Sequence, residues 1–279
     1  MKITIIGLGL IGGSFALCLR EKGVAQHIAG VDASPENAAK ALEMGLIDRV
    51  VPFEEATNGA DLVVLAAPVN AIPTLAVKVL NRIKPCQIAM DMGSTKGELG
   101  EMIALHPNRS RFVLTHPMWG TEKSGPEAAR SDAFAGRAVV ICDGGDSAPE
   151  AVRTVEEIYT RIGMTITHMT SEEQDIHTAY VSHISHITAY ALALTVMEKE
   201  RSEGRIFELA SGGFESTVRL AKSSPSMWAP IFVQNKYNVL DVLRELIHQL
   251  QIFRRLLEKD DLEGITAAIT KANEIKRII

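Results

Sequence analysis

Cysteine is scarce in this chain, like charges do not cluster, and no apolar run is long. Only three cysteines occur in 279 residues: Cys18, Cys86 and Cys142. The number is odd and no C-x-x-C is present, so a disulfide framework is excluded and a reducing cytoplasm fits. Each cysteine by itself reads as a small core hydrophobe. The formal net charge is −5, without a block of one sign. That argues against nucleic acid or an anionic membrane as the main partner. No stretch suits a bilayer span: Leu62 to Leu80 is broken by Pro68, Asn70 and Pro73. Ile3 to Leu19 is uncharged and follows Lys2, but glycines interrupt it and no small-residue cleavage site follows, so it is not read as a signal peptide. Repeats and low-complexity segments are also absent. What remains is an ordinary globular composition, 46% hydrophobic and 23% charged, long enough for two domains or one large one.

The most informative stretch runs from Lys2 to Asp32. Ile3, Ile5 and Ile6 form a β-branched run, the mark of a buried strand. Gly7, Gly9 and Gly12 follow as G-x-G-x-x-G. Leu10, Phe15, Ala16 and Leu19 then recur at helical spacing up to Gly23. A pyrophosphate site needs this pattern. The first glycine permits a tight turn, the second lets the backbone approach the phosphates, and the third lets helix pack on strand. The helix start presents unpaired N–H groups to an anion. His27 to Val31 reads as the next strand, and Asp32 at its end stands about twenty residues after Gly12, where a carboxylate meets the ribose hydroxyls. A glycine triplet alone is a weak signal, but strand, glycines, helix, strand and terminal acid in register are a strong one. No Lys or Arg follows Asp32 until Lys40, so NAD is expected rather than NADP. Leu8, Leu10 and Ile11 join the glycines as cofactor-contacting candidates. Ala67 and Pro68, small residues ending the strand Asp61 to Ala66, leave room on the ribose side.

Further along, Ser34-Pro35 caps a helix that runs to Gly45. Val50-Val51, Gln87 to Met90, Arg111 to Thr115, Arg137 to Cys142 and Thr165 to His168 read as strands, with helices at Ala71 to Leu80 and Ala148 to Ile162. The expected fold class is α/β, a doubly wound Rossmann-type sheet over residues 1–170. After Thr170 the character changes. Ser171-Glu172-Glu173-Gln174 reads as a capping box, and residues 171–279 read as an all-α domain. Val239 to Leu257 carries a strong amphipathic repeat. A helical domain of roughly 110 residues buries limited surface alone, so a homodimer through it is expected.

His116 is the foremost candidate for chemistry. It ends a strand on the ligand side of the sheet, and its ordinary pKa suits general-base work. Ser94, on the loop after an adjacent strand, is a candidate to share its hydrogen bond; the plain alternative is a helix N-cap. His183 and His186 stand i, i+3 apart on one helix face. A zinc site built with His116 ranks below substrate binding, because no carboxylate ligand accompanies them; no metal is expected. Gly212-Gly213 reads as a helix break, and Arg219 after it suits a carboxylate. Trp228 reads as core or as a cover on a cleft.

These residues resemble the prephenate/arogenate dehydrogenases of tyrosine biosynthesis over nearly the whole chain. The matching stretches are Gly-Leu-Gly-Leu-Ile-Gly-Gly-Ser at 7–14, Asp-Met-Gly-Ser-Thr-Lys-Gly at 91–97, Thr-His-Pro-Met-Trp-Gly-Thr-Glu-Lys-Ser-Gly at 115–125, Ser-His-Ile-Ser-His at 182–186, and Ser-Gly-Gly-Phe-Glu-Ser-Thr-Val-Arg-Leu-Ala at 211–221. Met227-Trp228 also fits. The resemblance implies an NAD-dependent oxidative decarboxylation of prephenate to 4-hydroxyphenylpyruvate, or of arogenate to tyrosine. His116, assisted by Ser94, would accept the hydroxyl proton, and Arg219 would hold a substrate carboxylate. Ser182, His183, His186, Thr121 and Trp228 would line the substrate cleft. Glu215, Ser216 and Ser185 depart from the family pattern, where Lys, Asp and Pro are found. The chain ends near Ile279, so no separate regulatory domain is expected. The competing readings are a β-hydroxyacid dehydrogenase, with Lys96 as its acid/base, and a non-enzymatic NAD sensor.

Overall fold

The structure, a computed structural model, describes residues 1–278. Ile279, where the expected helical stretch ends, lies outside the described residues. In chain order the first elements are β1 (Lys2–Ile6), α1 (Leu10–Glu21), β2 (His27–Val31), α2 (Pro35–Glu43), β3 (Arg49–Val50), β4 (Leu62–Leu65), α3 (Ile72–Leu80), β5 (Ile88–Asp91), α4 (Gly97–Ile103) and β6 (Phe112–Pro117). They are followed by β7 (Ala138–Cys142), α5 (Pro149–Arg161) and β8 (Thr165–Met169). The sheet order is β3-β2-β1-β4-β5-β6-β7-β8. The strands β1 to β6 run parallel. β7 then turns antiparallel to β6, with Leu114 opposite Cys142 and Pro117 opposite Val139, and β8 follows β7 in parallel.

The strands are apolar on both sides because both faces are covered. Alternate residues divide between two cores. Ile3, Ile5, Val64, Met90 and Val113 pack with Phe15, Leu19, Val155 and Tyr159 of α1 and α5. Ile6, Val63, Leu65, Phe112 and Leu114 pack with Val79, Leu80, Leu99 and Ile103 of α3 and α4. This is the doubly wound sheet expected from the sequence. Its parallel strands place the loops after β1, β4, β5 and β6 along one edge, the edge at which such sheets bind ligands.

From β8 the chain becomes helical: α6 (Ser171–Thr178), a π-helical turn at Ala179–His183, α7 (Ile184–Glu203), α8 (Gly212–Val218), α9 (Pro225–Gln234), α10 (Lys236–Glu258) and α11 (Leu262–Ala272). The capping box stands one residue earlier than its sequence reading. Thr170, not Ser171, is the N-cap: its hydroxyl accepts from the Glu173 N–H at 3.1 Å, and Glu173 accepts from the Thr170 N–H at 2.8 Å. Thr170 stands three residues before Glu173 and Ser171 three before Gln174, so the motif alone admits either start. Gly212 and Gly213 open α8 with Ser211 as N-cap rather than breaking a helix.

The change from strands to helices and the division into compact units fall at different places. Residues 1–235 form one unit and the chain from Lys236 onward another. In the first unit, α6 and α9 are tied to the loops at the ligand edge. Thr95 donates to Gln234 Oε1 at 2.6 Å, Gln234 donates to the Val69 carbonyl at 3.1 Å, and Asn235 donates to the Asp175 carbonyl at 2.6 Å. In the second unit, α10 and α11 carry apolar residues that stay exposed, among them Leu240, Ile247, Leu250 and Leu257. Among the described residues, no helix is long and apolar enough to cross a membrane.

Candidate active site

The glycine loop is built as a dinucleotide cradle requires. Gly7 has φ +99°, and a Cβ there would lie 2.5 Å from the Ala66 carbonyl oxygen. A Cβ on Gly12 would lie 1.9 Å from the Gly7 carbonyl oxygen. These two glycines let the loop close onto β4 and onto itself. Gly9, the N-cap of α1, is different: a Cβ there would meet nothing within 4 Å. Open space at that glycine, in front of a helix start with no acidic residue in its first turn, is what a pyrophosphate needs. Asp32 directly follows β2, and its carboxylate accepts from the Leu8 N–H at 2.7 Å and the Ser34 N–H at 2.8 Å. One carboxylate thus pins the glycine loop to the second strand and keeps free lone pairs for ribose hydroxyls. Leu8 contributes backbone only, because its side chain is in the core. Leu10 and Ile11 sit half-buried in the first turn of α1, and Ala67 and Pro68 follow β4 beside Gly7. These observations fit a bound dinucleotide.

His116 stands at the end of β6, half-buried, opposite Val140. Its Nδ1 meets Gln174 Oε1 at 3.3 Å. Burial first, and then the nearby Lys96 ammonium, push its pKa from 6.5 down to about 3. The ring is therefore neutral at physiological pH. Ser94 does not cap α4, whose N-cap is Lys96 with no side-chain cap bond. Among the described residues, the buried Ser94 hydroxyl oxygen has no hydrogen-bond partner, a rare state for a buried polar group. Its main-chain carbonyl accepts from Gln174 Nε2 at 2.9 Å. One glutamine side chain thus joins the two catalytic candidates.

Lys96 is fully buried and forms an ion pair with the equally buried Asp91. Asp91 also accepts from the Gly93 N–H at 2.8 Å and the Thr115 N–H at 3.1 Å. Burial pushes its carboxyl upward against the pull of Lys96. Lys96 is hence a structural partner of Asp91 and not an acid/base offered to a substrate.

The helical elements bring the remaining candidates to the same region. His183 ends the π turn, 1% exposed, and shares a hydrogen bond with Asn235 Nδ2 at 3.2 Å. Burial lowers its pKa to about 4. His186 Nδ1 donates to the Ser182 carbonyl at 3.2 Å, and its ring stacks on Trp228. Trp228 is buried against Val69 and Ile231, and its indole N–H has no partner among the described residues. Arg219 is exposed and holds Glu122 at 3.3 Å, next to Thr121. The Thr121 hydroxyl accepts from the Lys123 N–H at 3.2 Å. Among the described residues, no group of three or more His, Cys, Asp or Glu side chains is placed to hold a metal ion.

Sequence reasoning missed Gln174, Asp175, Asn235 and Tyr190. Gln174 and Asp175 were hidden in a helix-start motif. Tyr190, whose buried hydroxyl has no partner among the described residues, lies beside His186 with ring centroids 6.5 Å apart; no local pattern marked it.

Fold and site together define a dehydrogenase built from a dinucleotide-binding sheet and a helical second half. A family model described as "Prephenate dehydrogenase, nucleotide-binding domain" matches residues 15–168, and another described as "Prephenate dehydrogenase, dimerization domain" matches residues 170–271. The chain belongs to the prephenate dehydrogenase family. It is 33% identical to the prephenate dehydrogenase of Bacillus subtilis (strain 168), over 95% of this chain and 73% of the relative. It is 30% identical to the cyclohexadienyl dehydrogenase of Zymomonas mobilis, over 93% of this chain and 89% of that one. Among solved structures, that of the Aquifex aeolicus prephenate dehydrogenase in complex with hydroxyphenyl propionate and NAD+ superposes with a TM-score of 0.88. It is 30% identical and is matched over 100% of this chain and 97% of its own.

Proposed function

We propose that this protein is an NAD-dependent prephenate dehydrogenase that converts prephenate to 4-hydroxyphenylpyruvate and carbon dioxide. The observation that carries this reading is that one side chain, Gln174, meets both the ring of a neutral His116 and the carbonyl of Ser94, whose buried hydroxyl has no partner among the described residues. The bound nicotinamide supplies the carbon that takes a hydride from the substrate's ring carbon bearing the hydroxyl. His116 Nε2 accepts the hydroxyl proton as that carbon gains carbonyl character. A base of low pKa suffices, because the hydroxyl becomes strongly acidic as the hydride leaves. The bond to the departing carboxylate then breaks, its electron pair aromatises the ring, and the proton returns to what becomes the phenol oxygen. Ser94 shares the hydrogen bond to that oxygen.

Arg219 is the expected holder of a substrate carboxylate, with Glu122 as its partner until the substrate arrives. Thr121, Ser182, His183, His186 and Trp228 line the cleft in this reading. Asp32 selects NAD by repelling a 2′-phosphate. The β-hydroxyacid reading loses support because its lysine would be Lys96, which is buried against Asp91. We place the boundary between the dinucleotide-binding and helical domains at Thr170, supported by the two family matches. A homodimer through the helical half is supported by the dimerisation-domain match and by the exposed apolar residues of α10. Three free cysteines suit a reducing cytoplasm.

The test is NADH formation with prephenate, and in parallel with arogenate, by wild type and by His116→Asn. Wild-type turnover with prephenate, and a loss of about 10²–10⁴-fold in the variant with NAD binding intact, is the expected result. Turnover only with arogenate would keep the chemistry and change the substrate. No turnover with either substrate, alongside intact NAD binding, would return the sensor reading.

A further inference from the structure

The loop carrying Ser94 and the strand end carrying His116 are held by consecutive side chains of one helical turn. Gln174 and Asp175 both lie in α6. Asp175 Oδ1 accepts from the Lys96 N–H and Oδ2 from the Gly97 N–H, each at 2.8 Å. Gln174, 1% exposed, reaches the Ser94 carbonyl with Nε2 at 2.9 Å and the His116 ring with Oε1 at 3.3 Å. Its own backbone is fixed, since its N–H donates to the Thr170 carbonyl at 3.0 Å and its carbonyl accepts from the Thr178 hydroxyl at 2.9 Å.

The amide has one orientation that satisfies both contacts. A carbonyl can only accept, so the end of Gln174 facing Ser94 must be the NH2 group. The end facing His116 is then the amide oxygen, which also can only accept. The imidazole nitrogen there must carry a proton. We propose that Gln174 is a positioning residue that locks His116 in the Nδ1–H tautomer and couples its orientation to the Ser94 loop. The lone pair is thereby left on Nε2, the nitrogen that takes the substrate's proton. A histidine of the other tautomer would present an N–H to a hydroxyl that must lose its own proton. This rests on the reading of His116 as the base.

The titratable groups nearest His116 are Lys96, paired with Asp91, and His183. None of them is altered by substitution at Gln174. Three variants and one spectrum test the inference on the full-length enzyme with NAD. Gln174→Met, of similar size, removes both contacts. It should lower kcat roughly 10–100-fold, the loss typical when the outer partner of a metal-bound histidine is removed, while KM for prephenate and NAD stays close to wild type. Gln174→Glu keeps an acceptor for Nδ1–H and adds a negative charge. It should retain more turnover than Gln174→Met and raise the acid limb of the pH–rate profile by about one to three units. In 15N-histidine-labelled enzyme at neutral pH, the His116 signals, identified by their loss in His116→Asn, should report a protonated Nδ1 and a bare Nε2. A protonated Nε2 overturns the inference, whether or not the variants fold. Unchanged kcat and acid limb in both Gln174 variants also overturn it. Full turnover by His116→Asn would instead remove the base assignment, and the spectrum would still decide the Gln174 contact.

Discussion

The imidazole of His186 lies over the indole of Trp228, with ring centroids 3.4 Å apart and planes inclined by 24°. The stack joins α7 to α9, and Val69, from the loop after β4, packs in one cluster with Trp228 and Ile231. Trp228 therefore belongs to the core and, in the proposed reading, also lines the substrate cleft. Trp228→Ala should open a cavity and cost about 3–5 kcal/mol of stability. It should also raise KM for prephenate, because His186 loses the surface that orients it. Trp228→Phe should recover most of the stability. Urea unfolding and steady-state kinetics read the two effects separately, and a Trp228→Ala protein with wild-type KM would place the stack outside the substrate site.

Gly9 and Gly12 should respond to alanine in opposite ways. At Gly9 a methyl group enters open space, so the free protein should keep its stability while NAD affinity falls, since the methyl would stand where the proposed pyrophosphate site lies. At Gly12 the methyl would sit 1.9 Å from the Gly7 carbonyl oxygen, so the loop must shift and both stability and NAD affinity should drop. Thermal melts with and without NAD distinguish the two. A Gly9→Ala protein with undiminished NAD affinity would move the pyrophosphate away from this loop.

The Asp91–Lys96 pair is fully enclosed. Removing one partner leaves a charge in the interior, which typically costs 3–5 kcal/mol or about that. Asp91→Asn and Lys96→Met should each destabilise strongly. The double variant should lose much less than the sum, because neither charge is left alone. A denaturation double-mutant cycle measures this, and additive losses would mean the two groups do not interact.

His116 also makes stability depend on pH. In the unfolded chain a histidine takes up its proton near 6.5, whereas folded His116 does so only near 3. Between these values the unfolded state binds more protons, so stability falls as the pH drops through that window. His183, lowered to about 4, acts in the same direction. His116→Asn should flatten the decline of the urea midpoint between neutral and mildly acidic pH. The same slope in variant and wild type would show that His116 titrates normally in the folded protein.

Much of this protein was legible in the residues themselves. The nearly continuous apolar runs from Ile3 to Ile6 and from Leu62 to Leu65 specify strands covered on both faces, and glycine spacing with Asp32 specifies the cradle, because these are local demands of backbone geometry. His116 and Arg219 stood out because their neighbours, Pro117 and the Gly212-Gly213 pair, are unusual, although that pair starts a helix where a break was expected. The direction of β7 was not legible, since an apolar strand reads alike in either sense. Nor was the role of Gln174, which lies 58 residues from His116 and 80 from Ser94 in the chain. That Ser94 does not cap α4 and that Lys96 pairs with Asp91 also emerged only from the fold. Those outcomes depend on which partner arrives from a distant element and on how much water its arrival excludes, and no local pattern encodes either.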